Sequence, residues 1–144
     1  MDRFYTRQPG QSLYTYRFIP ERCVDGDTID GTVDLGFTVK TDQRFRLYGI
    51  DTPELRPRHD AFATPELREE HIKKAHEAQE FVVNLIKGPL VIQTIQDKTG
   101  KYGRYLCWIW AAEWNVGAVL GGHTAPLTIN ELLVDAGLAT RLAD

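Results

Sequence analysis

Carboxylates and arginines recur in three short stretches of this chain, each punctuated by a glycine or a proline. Asp25-Gly26-Asp27-Thr28 sets two acids on a turn whose glycine permits unusual backbone angles. Arg46-Leu47-Tyr48-Gly49-Ile50-Asp51-Thr52-Pro53-Glu54 delivers an arginine along a strand and then breaks at a proline with acids on either side. Lys101-Tyr102-Gly103-Arg104 adds cations beside a phenolic hydroxyl. Brought to one place, these residue types make up the inventory of a phosphodiesterase. Asp27 and Asp51 suit a hard divalent cation, calcium or magnesium, that prefers oxygen ligands. The carbonyl of Thr52, held extended by the proline after it, supplements them. Glu54 is then free to accept a proton from water. Arg46 and Arg104 match phosphate oxygens with a planar fork of donors and offset the charge that builds in the transition state. Lys101 and Tyr102 supply a cation and a hydroxyl for a neighbouring phosphate.

Each stretch alone has a blander reading: a plain turn, a strand-ending cap, a surface salt bridge worth little to stability. The chemistry therefore depends on elements that bring the three together. Leu13 to Ile19 is rich in aromatic and β-branched residues and reads as a strand, ended or placed on an edge by Pro20. Thr28 to Leu35 is the second, broken by Gly36, with Phe37 to Val39 as a prolongation past a bend. Arg44 to Ile50 is the third, with Arg44, Arg46 and Tyr48 on one face and Phe45 and Leu47 on the other. Thr64-Pro65-Glu66 is a helix start, with a capping hydroxyl, proline at the first position and an acid in the first turn. That helix runs to about Lys87, where Gly88-Pro89 stops it, and Leu67, Ala75, Ala78, Phe81, Val82, Leu85 and Ile86 form its core side. Leu90 to Ile95 and Gly103 to Ala111 are two more strands, joined by a turn over Asp97 to Gly100. A glycine-rich loop follows over 113–128, then a short helix from Ile129 to Ala136 with Gly137 as its stop. Five strands with a helix after the third have the logic of an OB-fold barrel, an α+β chain that is mainly β, with two to three helices.

Length and composition agree with one domain over residues 1–144, its first 11 residues a loose arm. A net charge of −3 argues against an indiscriminate nucleic-acid coat, which needs a basic footprint. A local basic site on an acidic body is the expectation instead. Cys23 and Cys107 read as buried free thiols, and Trp108 and Trp110 as core. His71 and His76, among charges on the long helix, read as solvated surface, since they lack the spacing of a helical metal pair. No run is apolar enough to span a membrane, and Met1 to Tyr5 lacks the form of a secretory signal. A cytoplasmic protein is expected, with a secreted form left open if a leader was removed, and no obligate protein partner is evident.

Taken together, the stretches Val24 to Ile29, Arg46 to Glu54, Asp97 to Arg104, Asn130 to Leu133 and Gly137 to Ala139 resemble the staphylococcal nuclease (thermonuclease) family. The likeness runs in matching order from about Tyr16 to Ala139. It implies an OB-fold barrel with helices and calcium-dependent cleavage of DNA and RNA that leaves 3′-phosphate ends. Residue by residue, it implies Asp27, Asp51 and the Thr52 carbonyl on calcium, Glu54 as general base, and Arg46 and Arg104 as phosphate clamps. Lys101 and Tyr102 match positions that bind a terminal phosphate of a nucleotide inhibitor. The rival from another class is a noncatalytic OB-type module that binds nucleic acid or protein. In such relatives the acids and arginines are the missing parts, whereas here all five are present.

Overall fold

A computed structural model describes residues 13–99, 104–111 and 127–142. In chain order the elements are β1 (Thr15–Asp25), β2 (Thr28–Gly36), β3 (Val39–Leu47), β4 (Ile50–Asp51), α1 (Pro65–Leu85), β5 (Leu90–Thr99), β6 (Tyr105–Trp110), α2 (Ile129–Asp135) and β7 (Thr140–Arg141). β1, β2, β3, β6 and β5 close into a barrel in that order. Only the β3–β6 seam is parallel; the other barrel pairs are antiparallel. With two helices among the described residues on a mainly β body, this is the OB-type architecture expected from the sequence. Among the described residues, no helix is long and apolar enough to cross a membrane.

Alternation along the strands fills the barrel. Phe45 and Leu47 are buried while Arg44 turns outward to a bidentate contact with Asp30, at 2.7 and 2.9 Å. Phe18 meets Phe45 edge-on with ring centroids 5.5 Å apart, and Trp108 and Trp110 complete the core. Both cysteines are free and buried. Burial pushes the Cys23 thiol up to about 12, with Asp25 and Asp27 adding to the shift, so it stays protonated and unreactive.

Several boundaries differ from expectation. Pro20 does not end β1, which runs on to Asp25; a register shift between Pro20 and Arg22 absorbs the missing N–H. Phe37 and Thr38 do not prolong β2. They take left-handed angles (φ 54° and 62°) and form the turn into β3. β5 continues past the turn expected at Asp97 to Thr99. Leu67 lies outside the core side of α1, at 49% exposure, whereas Ala75, Ala78, Val82 and Leu85 are buried. The ends of α1 are as read: Thr64 Oγ1 accepts from the Leu67 N–H at 3.2 Å, and Gly88 takes φ 79° after the last turn. The N-terminal arm and most of the 113–128 loop lie outside the described residues.

Gly31 faces Pro20 across the β1–β2 pair, and a methyl there would sit 2.5 Å from the Phe18 ring and 2.6 Å from the Ile19 carbonyl oxygen. Neither neighbour can retreat, since the ring is fully buried and the carbonyl is backbone. Gly31→Ala should therefore cost about 1–3 kcal/mol or more by overpacking. A thermal melt within 1 °C of wild type would show that β1 yields there.

α2 is pinned to the barrel by side chains that substitute for backbone partners. Asn130 donates through Nδ2 to the carbonyls of Tyr48 and Cys107 at 3.0 and 3.1 Å, joining the ends of β3 and β6. Thr128 and Glu131 form a reciprocal capping box at its start. Glu131 is buried, and its Oε2 has no hydrogen-bond partner among the described residues. Burial raises the Glu131 carboxyl above its ordinary value, against the hydrogen bonds from Thr128. A raised folded-state value means the contribution to stability is full below the unfolded value and lost as pH rises through the folded one. Glu131→Gln should thus raise the melting temperature at pH 7 relative to wild type and lose that advantage near pH 4. An equal shift at both pH values would refute the assignment.

Candidate active site

The two turns that carry acids meet at one end of the barrel. Thr28 is paired with Arg46 at the end of the β2–β3 ladder, so the Asp25-Gly26-Asp27 turn lies beside the arginine. Beyond Leu47 the chain turns at Gly49 (φ 77°) and re-enters as β4, which pairs with β7 through Ile50–Arg141 and Asp51–Thr140. The Leu142 N–H adds a bond to the Gly49 carbonyl at 2.8 Å. The loop after β4 is tied down in turn: the Leu55 N–H donates to Asp25 Oδ1 at 3.0 Å.

Asp27 is at the centre. Its Oδ1 accepts from the Thr28 hydroxyl at 3.0 Å and its Oδ2 from the Thr52 N–H at 3.1 Å. Arg46 spans the two acids, Nη1 lying 3.3 Å from Asp27 Oδ2 and Nη2 lying 3.1 Å from Asp51 Oδ1. Arg104 reaches the Thr28 hydroxyl at 3.4 Å, which links it through Thr28 to Asp27. Close packing holds the turn there: a methyl on Gly26 would lie 2.9 Å from the Ala78 Cβ of α1 and 3.1 Å from the Thr52 side chain. Gln79 of α1 adds a bond to the Cys23 carbonyl at 3.0 Å.

These groups border a cavity of about 500 Å³. The barrel supplies Asp25, Asp27, Arg46 and Arg104; the loop after β4 supplies Thr52, Pro53 and Glu54; the chain from Gly137 to Thr140 closes another side. Of the residues singled out by sequence, Asp27, Arg46, Asp51, Thr52, Glu54 and Arg104 are therefore gathered at one pocket. Lys101 and Tyr102 lie outside the described residues. Three contributors are not among the site residues assigned from sequence. Asp25 orders the Glu54 loop, Gly137 to Thr140 form a wall, and His71 with Lys74 of α1 also line the cavity. His71 is thus not the solvated surface residue its charged neighbours suggested. The signal was available: it lies seven residues before Ala78, on the buried stripe of the helix.

Burial raises the Asp27 carboxyl above its ordinary value; Arg46 and the bonds from Thr52 and Thr28 pull it back, and Asp51 pushes it up again. The sequestered negative charge is therefore incompletely compensated by the protein, which is the electrostatic condition that favours a cation. Among the described residues, no cluster of three or more acidic, histidine or cysteine side chains forms a complete cage. Two carboxylates beside the Thr52 backbone still fit a hard ion whose remaining positions go to water and substrate oxygens.

The family of staphylococcal nuclease homologues matches residues 44–143, a span that takes in Arg46, Asp51, Glu54 and Arg104. No curated protein matches the chain. Asp25 and Asp27 precede the matched span, yet the fold sets them against Arg46 and Thr52. By sequence match and by barrel, then, the chain belongs to the staphylococcal nuclease homologue family.

Proposed function

We propose that this chain is a calcium-dependent nuclease that hydrolyses phosphodiester bonds of DNA or RNA and leaves 3′-phosphate ends. The observation that carries the reading is Arg46 held between Asp27 and Asp51 at a cavity that also takes Glu54 and Arg104. Family membership supports a nucleic-acid substrate. A calcium ion held by Asp27, Asp51 and the Thr52 carbonyl would supply positive charge beside a phosphoryl oxygen. Glu54, exposed at the rim, takes a proton from the attacking water. The water oxygen bonds to phosphorus, the bond to the 5′ oxygen breaks, and that oxygen leaves as a hydroxyl after taking a proton from solvent water. Arg46 and Arg104 hold the equatorial oxygens and offset the charge that accumulates there.

Cleavage of a fluorescent single-stranded DNA in calcium, in magnesium and in chelator tests the reading. Cutting that needs calcium and stops in chelator is the expected result. No cutting with any ion, from a protein whose melting temperature calcium still raises, would make it a noncatalytic binding module instead.

A further inference from the structure

The core stripe of α1 changes character where the barrel ends. Ala75, Ala78, Val82 and Leu85 are buried, and Ala78 abuts Gly26 at the pocket. Toward the N-terminus, the same side of the helix presents Lys74, His71 and Arg68 at three-residue steps. His71 and Lys74 line the cavity. The His71 ring packs on Phe62 at 4.8 Å, and its Nε2 is buried with no hydrogen-bond partner among the described residues; the same holds for Arg68 Nε, most of a turn further on. Lys74 meets Glu70 at 3.5 Å with both side chains 63% exposed, a pair that water screens. A buried nitrogen with no acceptor among the described residues is unusual, and beside an open cavity it is placed to take an acceptor from a ligand. Elsewhere in the cavity the cations are engaged, Arg46 by two acids and Arg104 by Thr28.

We propose that His71 and Lys74 form a second phosphate subsite, which takes a phosphodiester flanking the one that is cut. The subsite rests on the nuclease reading. It lies on α1, on a different stretch of the chain from Lys101 and Tyr102, and its role is to position the strand. A cavity of about 500 Å³ has room beyond the scissile phosphate, being of the size that encloses whole small ligands.

The test is cleavage of single-stranded DNAs in which one linkage at a time, on either side of a fixed cut, is an uncharged methylphosphonate. In wild type, neutralising the flanking linkage should lower kcat/KM by about tenfold, the scale of one hydrogen bond to a charged group. Lys74→Ala, whose side chain is solvent-exposed, should show a similar loss on the unmodified strand and no further loss on the modified one. His71→Gln should behave alike, with a melting curve to confirm its fold. Variants as sensitive as wild type at every neutral linkage would overturn the subsite. So would a wild type that cuts all strands equally, leaving the nuclease reading intact. A wild type that cuts no strand would overturn that reading and the subsite with it.

Discussion

Glu54→Gln should lower turnover on single-stranded DNA by about 10²–10⁴-fold, the span that a positioned proton acceptor contributes. The substitution keeps size and shape and removes only the ability to take a proton. Glu54 stands on a loop that the Leu55–Asp25 bond already holds, so the pocket itself should survive. Calcium should then still raise the melting temperature, because an ion that binds the folded state stabilises it by mass action. The two readouts separate three roles. Slow turnover with the calcium shift retained identifies the base. Loss of both would make Glu54 a ligand of the ion, and unchanged turnover would remove it from the mechanism.

The second large effect is at Arg46. Arg46→Lys should be nearly as harmful as Arg46→Ala, each costing about 10²–10³ in kcat, the scale found when one transition-state donor is removed. Lysine keeps the charge, but it has no planar fork to contact two groups at once. Here that fork already demonstrates its reach, touching Asp27 and Asp51 with separate nitrogens. A lysine variant close to wild type would mean that Arg46 acts as charge alone. Arg46→Ala carries a stability signature too. Arg46 is the strongest influence holding Asp27 down against burial, so without it the Asp27 carboxyl rises further. For an acid raised in the folded state, stability is full below the unfolded value and lost as pH rises through the folded one. The alanine variant should melt well below wild type at pH 7 and close to it near pH 3. A gap that does not narrow in acid would place its cause outside Asp27.

Much of this site is legible in the chain because its carriers sit on regular elements. Strand alternation puts Phe45 and Leu47 inside and Arg46 toward the pocket, and the Thr64-Pro65-Glu66 start places α1 without reference to anything distant. What escapes is set by contacts that local pattern does not encode. β4 and β7 are two residues each, too short to show a period, and they exist only by pairing with one another. Pro20 reads as a terminator until Gly31 is seen opposite, where the strand shifts register and goes on. Phe37 is 98% exposed in a left-handed turn, a place where glycine is the usual choice, so its apolar character misleads. Thr128 and Glu131 are a different case, since threonine with glutamate three residues later is a readable capping signal before the last helix.

The β4–β7 pair has a consequence for the order in which the pocket comes into being. Asp51 lies on a two-residue strand whose ladder partner is Thr140, and Leu138 to Thr140 form part of the cavity wall. A ribosome releases the chain from its N-terminus, and contacts distant in sequence are slow to close. The barrel's first hairpin and Arg46 are therefore available long before the residues that complete the enclosure around them. Enclosure of the pocket waits on Thr140, and a nascent chain short of that residue carries the chemical groups without the wall that encloses them.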